Sequence, residues 1–458
     1  MKNPESRAPS TWPWLVLIFA VSVCARLSYV HHFASALPFW DEWDAEGDML
    51  LRPLIEQSLS LGDLLHAHNE HRILPSKLLS LLSFSLSGEW NSLNNARFDA
   101  FLFSLIPAFF FWFLARGTAS LSARIFLLLA VTATTLLPFD WENFLIGFQS
   151  QFYFLVVFAL LAFSLAVAKP DKPAAIAAIV GLCLLCILDM ASGILVPPAV
   201  AGIYVVRSIL DRGHFRIAAS MTAAMAALAV AGYLSMPVIP GHQALKAQSA
   251  GEFVTALGHV LAWPANRPSA LLAIWLPAAA RFLYLMAKRG KASPQDLFAL
   301  GCWMWSLGQA LAIAYSRGHQ LAEVPSRYLV TLVPGLLANA WFAFLFLQSA
   351  FRAIPRLRAR HVAGAAISLA FFACSIGGLI LRTPADWQAM QGRHEALRTQ
   401  AAHVACYLDT RDPRCLDVPF FQIPYPDADR LRGMLDNPAL RSVLDRCAIA
   451  TCPTPQRS

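Results

Sequence analysis

Phe39-Trp40-Asp41-Glu42-Trp43-Asp44 follows directly on the first long apolar run of the chain. Three carboxylates set among aromatics, where a membrane span should emerge, pose two questions: how many spans follow, and which later polar residues return to this side. Apolar runs near 12–31, 97–115, 122–138, 147–168, 174–188, 191–206, 217–236, 269–287, 297–315, 328–349 and 362–381 suggest about eleven transmembrane helices. Most approach the roughly twenty residues that cross a hydrocarbon core. Between 174 and 206, Asp189 interrupts the apolar stretch and Pro197-Pro198 follows. Two short spans around a tight turn explain this best, and one span with a re-entrant segment would also fit. The fold class is therefore an all-α polytopic membrane protein. Composition agrees: 57% of the 458 residues are hydrophobic and 14% charged, where a soluble domain carries roughly a quarter charged. The run from Trp12 is too long for a signal peptide's apolar core and no small-residue cleavage site follows it, so a retained span is expected.

Loop charges test the count. Arg116 and Arg124; Lys169 and Lys172; Arg207, Arg212 and Arg216; Lys288, Arg289 and Lys291; and Arg352, Arg356, Arg358 and Arg360 fall in alternate connections. The positive-inside rule then puts the N-terminus in the cytoplasm and the C-terminus outside, periplasmic if the membrane is a bacterial inner (plasma) membrane. The net charge of +8 is spread over these short loops, which argues against nucleic acid as a partner. The remaining connections are poor in Lys and Arg and rich in acids and His. They include a long first extracytoplasmic loop, about 34–96, with Asp41, Glu42, Asp44 and the string His68-Asn69-Glu70-His71-Arg72. Asp140, Glu142 and Asn143 fall in the second such loop and Asp189 in the third. A longer segment, 237–268, carries His242 and a stretch from Glu252 to Trp263 with helical apolar spacing; Arg317 and Arg327 flank the fifth loop.

The chemistry of this face follows from residue types. Trp40 and Trp43 should sit at headgroup depth, holding Asp41, Glu42 and Asp44 in a partly dehydrated place. A carboxylate there could serve as a general base or share a divalent metal; a hydrated loop with aromatic anchors is the plainer alternative. If 68–72 were helical, His68, His71 and Arg72 would share a face, able to grip a phosphate or offer imidazole ligands; bracing of the long loop competes with both. Gln149 and Gln151 enter the mouth of a span, to line a site or to tie two helices together. Arg317 and Arg327-Tyr328 break the positive-inside trend, and a guanidinium's planar fork suits a phosphate; pairing with an outer-loop acid is the competing explanation.

Beyond about Arg382 the chain turns polar, and Ala385 to Leu408 reads as an amphipathic helix. Residues 1–383 should form the multi-span part and 384–458 a small extracytoplasmic segment with little core of its own. Cys406, Cys415, Cys447 and Cys452 all lie in this tail, an even number in an oxidising compartment, so two disulfides are expected. Pairing 406 with 415 and 447 with 452 closes the shortest loops, among three connectivities that sequence leaves open.

These features together resemble the GT-C superfamily of polytopic glycosyltransferases, in a mostly uncharacterised bacterial branch. The acidic motif in the first outer loop matches at Asp41, Glu42 and Asp44. The strings His68-Asn69-Glu70-His71-Arg72-Ile73, Glu142-Asn143 with Gly147-Phe148-Gln149, and Ser326-Arg327-Tyr328 carry the rest, over about 12–381. The resemblance implies transfer of a sugar from a polyprenyl phosphate to an extracytoplasmic glycan, lipid or protein acceptor. It implies a first-loop carboxylate as base, with Asp41 the first candidate and Asp44 the next. His68, Glu70, His71, Arg72, Glu142, Gln149, Arg317, Arg327 and Tyr328 become the candidates for holding substrate and phosphate. A divalent metal, Mg or Mn, is possible, since members of the superfamily differ. The lipid would lie in a groove between aromatic-rich spans. Two other classes remain: a transporter or flippase, which would need ionisable residues well inside the spans, and a non-catalytic scaffold, which would need no coherent polar face. A catalytic reading requires the early acids and the late arginines to meet.

Overall fold

The computed structural model describes residues 11–288, 292–445 and 449. Among them, nine helices are long and apolar enough to cross a membrane, and two more, Leu121–Leu136 and Pro173–Asp189, are shorter but apolar. Together they are the eleven that hydropathy expects. In order they are α1 (Trp12–Phe33), α2 (Ser92–Ala115), α3 (Leu121–Leu136), α4 (Ser150–Ala168), α5 (Pro173–Asp189), α6 (Val196–Leu210), α7 (Phe215–Leu234), α8 (Leu271–Lys288), α9 (Pro294–Ser316), α10 (Val333–Arg352) and α11 (Ala359–Thr410). The chain is an integral membrane protein. At Asp189 the apolar stretch does turn, into a short 3-10 segment, Ala191–Leu195, before α6. The Glu252-to-Trp263 stretch is a helix over Ala250–Leu261.

Lipid offers no hydrophobic drive between helices, so close fit and polar contacts must hold the bundle. The buried seam is aromatic: Phe113 of α2 stacks on Phe298 of α9 with ring centres 4.2 Å apart. Gly335 lets α10 approach α9, since a Cβ there would lie 2.6 Å from Ser306 Cβ. Ser306 Oγ uses that closeness, donating to Thr331 O at 2.9 Å and accepting from Gly335 N.

α11 departs from the expected boundary at 384. It is one helix of 52 residues, roughly 80 Å long at about 1.5 Å per residue, so more than half of it lies beyond a hydrocarbon core of about 30 Å. Pro384 is accommodated inside it. The tail is thus an extension of the last span, and its core is shared. Ala401, Val404, Tyr407, Leu416, Leu431 and Leu435 pack in one cluster with Leu37, Trp43, Leu51 and Trp90 of the first loop. Trp40 N donates to Pro424 O, and Trp90 N to Val443 O. The Cys406–Cys415 disulfide is formed, closing the turn after α11; Cys447 and Cys452 lie outside the described residues.

The loops expected outside do meet one another. Ile73 N donates to Asp189 O, and Ala247 N to Tyr315 O. Ser150 Oγ bonds Ser76 Oγ at 2.7 Å, and Arg72 reaches Ser235 O at 2.9 Å. They form a polar cap over one end of the bundle.

Candidate functional site

The first loop enters the cap on a sharp bend. Trp40 has a φ of 49°, a left-handed conformation that costs a non-glycine residue free energy, and a nine-residue π-type helix, Trp43–Leu51, follows. The bend parts three neighbouring acids. Glu42 points inward and is fully buried, accepting from Ser92 Oγ at 2.6 Å and from Phe39 N. Burial pushes its carboxyl well above the usual range, helped by nearby Glu46, itself buried and raised. Asp44 faces the tail, where it accepts from Tyr425 OH at 2.8 Å and from Arg430 Nε at 3.0 Å. Asp41 alone keeps an open carboxylate, 48% exposed, with His68 Nε2 3.2 Å from its Oδ1. Burial would raise this carboxyl, but the His68 bond and the charges of His71 and Arg327 outweigh it and hold it below the usual range.

His68 arrives by a turn rather than a helix. His68 N and His71 O pair, as do His71 N and His68 O, with Asn69 at a φ of 52°. The helical face expected of His68, His71 and Arg72 is therefore absent: such reciprocal bonds close a turn and project alternate side chains to opposite sides. His71 Nδ1 accepts from Ala191 N at 3.0 Å, which fixes the Nε2–H tautomer. Burial, against the pull of Glu70, draws its imidazole down to about 4, so at neutral pH it offers a neutral donor. Glu70 and Arg72 face elsewhere. Glu70 bonds His242 at 2.6 Å, and Arg72 bonds Leu65 O and Ser235 O, tying the turn to neighbouring loops.

The second loop brings the opposite charge partner. Gly147 lies against the start of α2, where a Cβ would come 2.4 Å from Ser92 O, and its N–H donates to Ser92 Oγ at 3.1 Å. Phe148 then packs edge-on against His68, ring centres 5.9 Å apart; Gln149 lies beside it, accepting weakly from Gln151 at 3.5 Å. This docking presents Glu142 to the fifth loop. Arg327 Nη1 reaches Glu142 Oε1 at 2.9 Å, while Ser326 Oγ and Arg327 N donate to Oε2. Asn143 Nδ2 holds Arg327 O at 2.9 Å. Arg317 Nε donates to Tyr328 OH at 3.1 Å. Burial would raise the Tyr328 phenol, yet Arg327 and Arg317 bring it below its usual range.

Asp41, His68, His71, Glu142, Arg317, Arg327 and Tyr328 therefore share one region, whereas Glu42, Asp44, Glu70 and Arg72 are committed to the scaffold. Sequence reasoning missed Arg393. It comes from the outer part of α11, with its guanidinium carbon 3.4 Å from the centre of the Phe39 ring. Burial, against the nearby acids Glu142 and Glu42, draws its pKa down to about 10. An arginine on the polar stripe of an amphipathic helix gave no signal beyond solubility. No group of three or more His, Cys, Asp or Glu is arranged to hold a metal ion among the described residues. Asp41 has one imidazole beside it and the other loop acids turn away, so the donor set a divalent ion prefers is not assembled.

No family model matches the sequence, and no curated protein does. Solved structures do. The oligosaccharyltransferase of Archaeoglobus fulgidus in its apo form is 11% identical with a TM-score of 0.52, covering 92% of this chain and 61% of that one. The chain has the GT-C fold. The same archaeal protein tethered to an acceptor peptide containing the NVT sequon is 12% identical with a TM-score of 0.50, over 92% of this chain and 60% of that one. ArnT from Cupriavidus metallidurans, bound to undecaprenyl phosphate, aligns at 15% identity and a TM-score of 0.43, over 95% and 90%. The present chain spans about three fifths of the length of the archaeal oligosaccharyltransferase.

Proposed function

We propose that the protein is a membrane glycosyltransferase that moves a sugar from a polyprenyl phosphate to an acceptor on the extracytoplasmic side. The observation that carries this reading is one open carboxylate, Asp41, with Arg327 close enough for its charge to act on it and Arg317 likewise on neighbouring His71, the two arginines being held by Glu142 and Tyr328. A fold also seen in an oligosaccharyltransferase supports it. Asp41 takes the proton from the acceptor nucleophile as that atom bonds to the anomeric carbon. The bond from that carbon to the phosphate oxygen breaks, and the electron pair leaves with the lipid phosphate. Arg317 and Arg327 stabilise the anion as it forms, through preorganised donors of the kind that contribute several kcal/mol. His68 positions Asp41, and His71 supplies a neutral Nε2–H.

The apolar groove found among the spans, about 700 Å³ and lined by Trp12, Phe19, Phe109 and Trp112, lies at the ends of α1 and α2 remote from Asp41. We place the protein in a bacterial inner membrane, N-terminus cytoplasmic and C-terminus periplasmic, on the loop charges.

Asp41→Asn tests the reading. Loss of a general base costs about 10²- to 10⁴-fold, so cells carrying the variant should accumulate a polyprenyl-phosphate-linked sugar that wild-type cells consume, as read by mass spectrometry of extracted lipids. Identical lipid-linked pools in the two strains would overturn the assignment.

A further inference from the structure

Arg393 holds a guanidinium whose Nε and Nη2 are buried without a hydrogen-bond partner. The two acids whose charges reach it already take other donors on both oxygens. Glu142 accepts from Arg327 on Oε1 and from Ser326 and Arg327 on Oε2. Glu42 accepts from Ser92 on one oxygen and from Phe39 N on the other. Phe39 covers the flat face of the guanidinium, which fixes its plane and leaves the N–H edge free to donate. Buried donors on a cation are costly unless an acceptor completes them. The acceptor that best fits a fork of N–H groups is an oxyanion, bound by two parallel bonds.

We propose that Arg393 is a phosphate-binding residue, delivered from the tail helix to Phe39 within reach of the charge of Glu142. The proposal rests on the function proposed above only in taking that phosphate to belong to a polyprenyl-linked donor. Glu142 then divides the cations. Arg327 is neutralised by it, while Arg393 keeps its charge for the ligand. This explains why the last span continues unbroken into the tail: an unbroken helix carries Arg393 rigidly to Phe39, with Trp387 against Phe33 and His394 bonded to Phe33 O on the way.

The test uses the full chain in phosphatidylcholine nanodiscs, with undecaprenyl phosphate in one arm and inorganic phosphate in the other. Arg393→Gln keeps much of the stem on Phe39, and Arg393→Lys keeps the charge without the fork. The Gln variant should bind undecaprenyl phosphate about ten- to a hundred-fold more weakly, the range for hydrogen bonds to a charged group. The Lys variant should fall between, with both melting as the wild type does without ligand. Wild-type affinity in the Gln variant would overturn the proposal and leave Arg393 a prop for Phe39. If the wild type binds inorganic phosphate but no lipid phosphate, and the Gln variant loses that binding, Arg393 stands and the lipid-linked donor falls.

Discussion

Asp140 and Glu142 stand two residues apart in the second outer loop, and each takes an arginine from elsewhere in the chain. Their fates differ. Asp140 meets Arg26 of α1 at 2.7 Å, with both side chains at 0% exposure. Tyr153 OH donates to its other oxygen at 3.1 Å, and Phe103 and Phe144 lie over the guanidinium. Glu142 meets Arg327 at a similar distance, but the two side chains stay 19% and 33% exposed. One pair is a sealed seam joining α1, α4 and the loop. The other stays partly exposed. A buried ion pair is weak evidence for stability against an apolar alternative, yet breaking one leaves an uncompensated charge. Burial, more than residue type, thus separates these two acid–arginine pairs.

Breaking the sealed pair should give the largest effect. Asp140→Ala strands Arg26 and should destabilise the protein by about 3–5 kcal/mol, read as loss of monodisperse protein and a lowered melting temperature. Normal melting in that variant would mean that the seam is not structural and that the contrast with Glu142 fails. Asp44 sharpens the contrast from the tail side. It is held by Tyr425 and by Arg430, whose side chain is 49% exposed, so Asp44→Asn should cost about 1 kcal/mol or less and leave turnover unchanged. A loss of turnover as large as that of Asp41→Asn would move the base from Asp41 to Asp44.

Much of this was legible in the sequence. The eleven helices follow from runs of apolar residues, because a lipid solvent tolerates little else. That the acid- and His-rich loops gather at one end of the bundle follows from their alternation with the Lys- and Arg-rich ones. What could not be read is which of three neighbouring acids faces the opening. Asp41, Glu42 and Asp44 differ through the bend at Trp40 and the π-type helix after it, and neither leaves a periodic mark. The turn at Asn69 was missed because spacing of three and four residues looks the same in a helix and in a tight hairpin. Arg393 was missed because its partners, Phe39 and Glu142, are more than 240 residues away in the chain. Its helix reads as part of an appendage by composition, whereas its apolar face packs on the first loop.

The smallest expected effect tests the open seam itself. As the proposed base, Asp41 would work only when ionised, so the acid limb of the kcat/KM profile should follow its own titration. Burial alone would put that limb above the ordinary carboxylate range; the His68 bond, with the charges of His71 and Arg327, puts it below. The same depression contributes stability above the unfolded carboxyl's pKa, which is lost as pH falls through the folded one. Removing His68 in His68→Ala leaves burial opposed by the remaining charges only. The acid limb should then move to higher pH, with the loss of turnover concentrated on the acid side of the profile. A purely structural His68 would lower activity evenly across the profile and leave the limb in place. A shifted limb in His68→Ala that is restored by His68→Gln, which can still donate to Oδ1, ties the shift to that hydrogen bond and assigns the titrating base to Asp41.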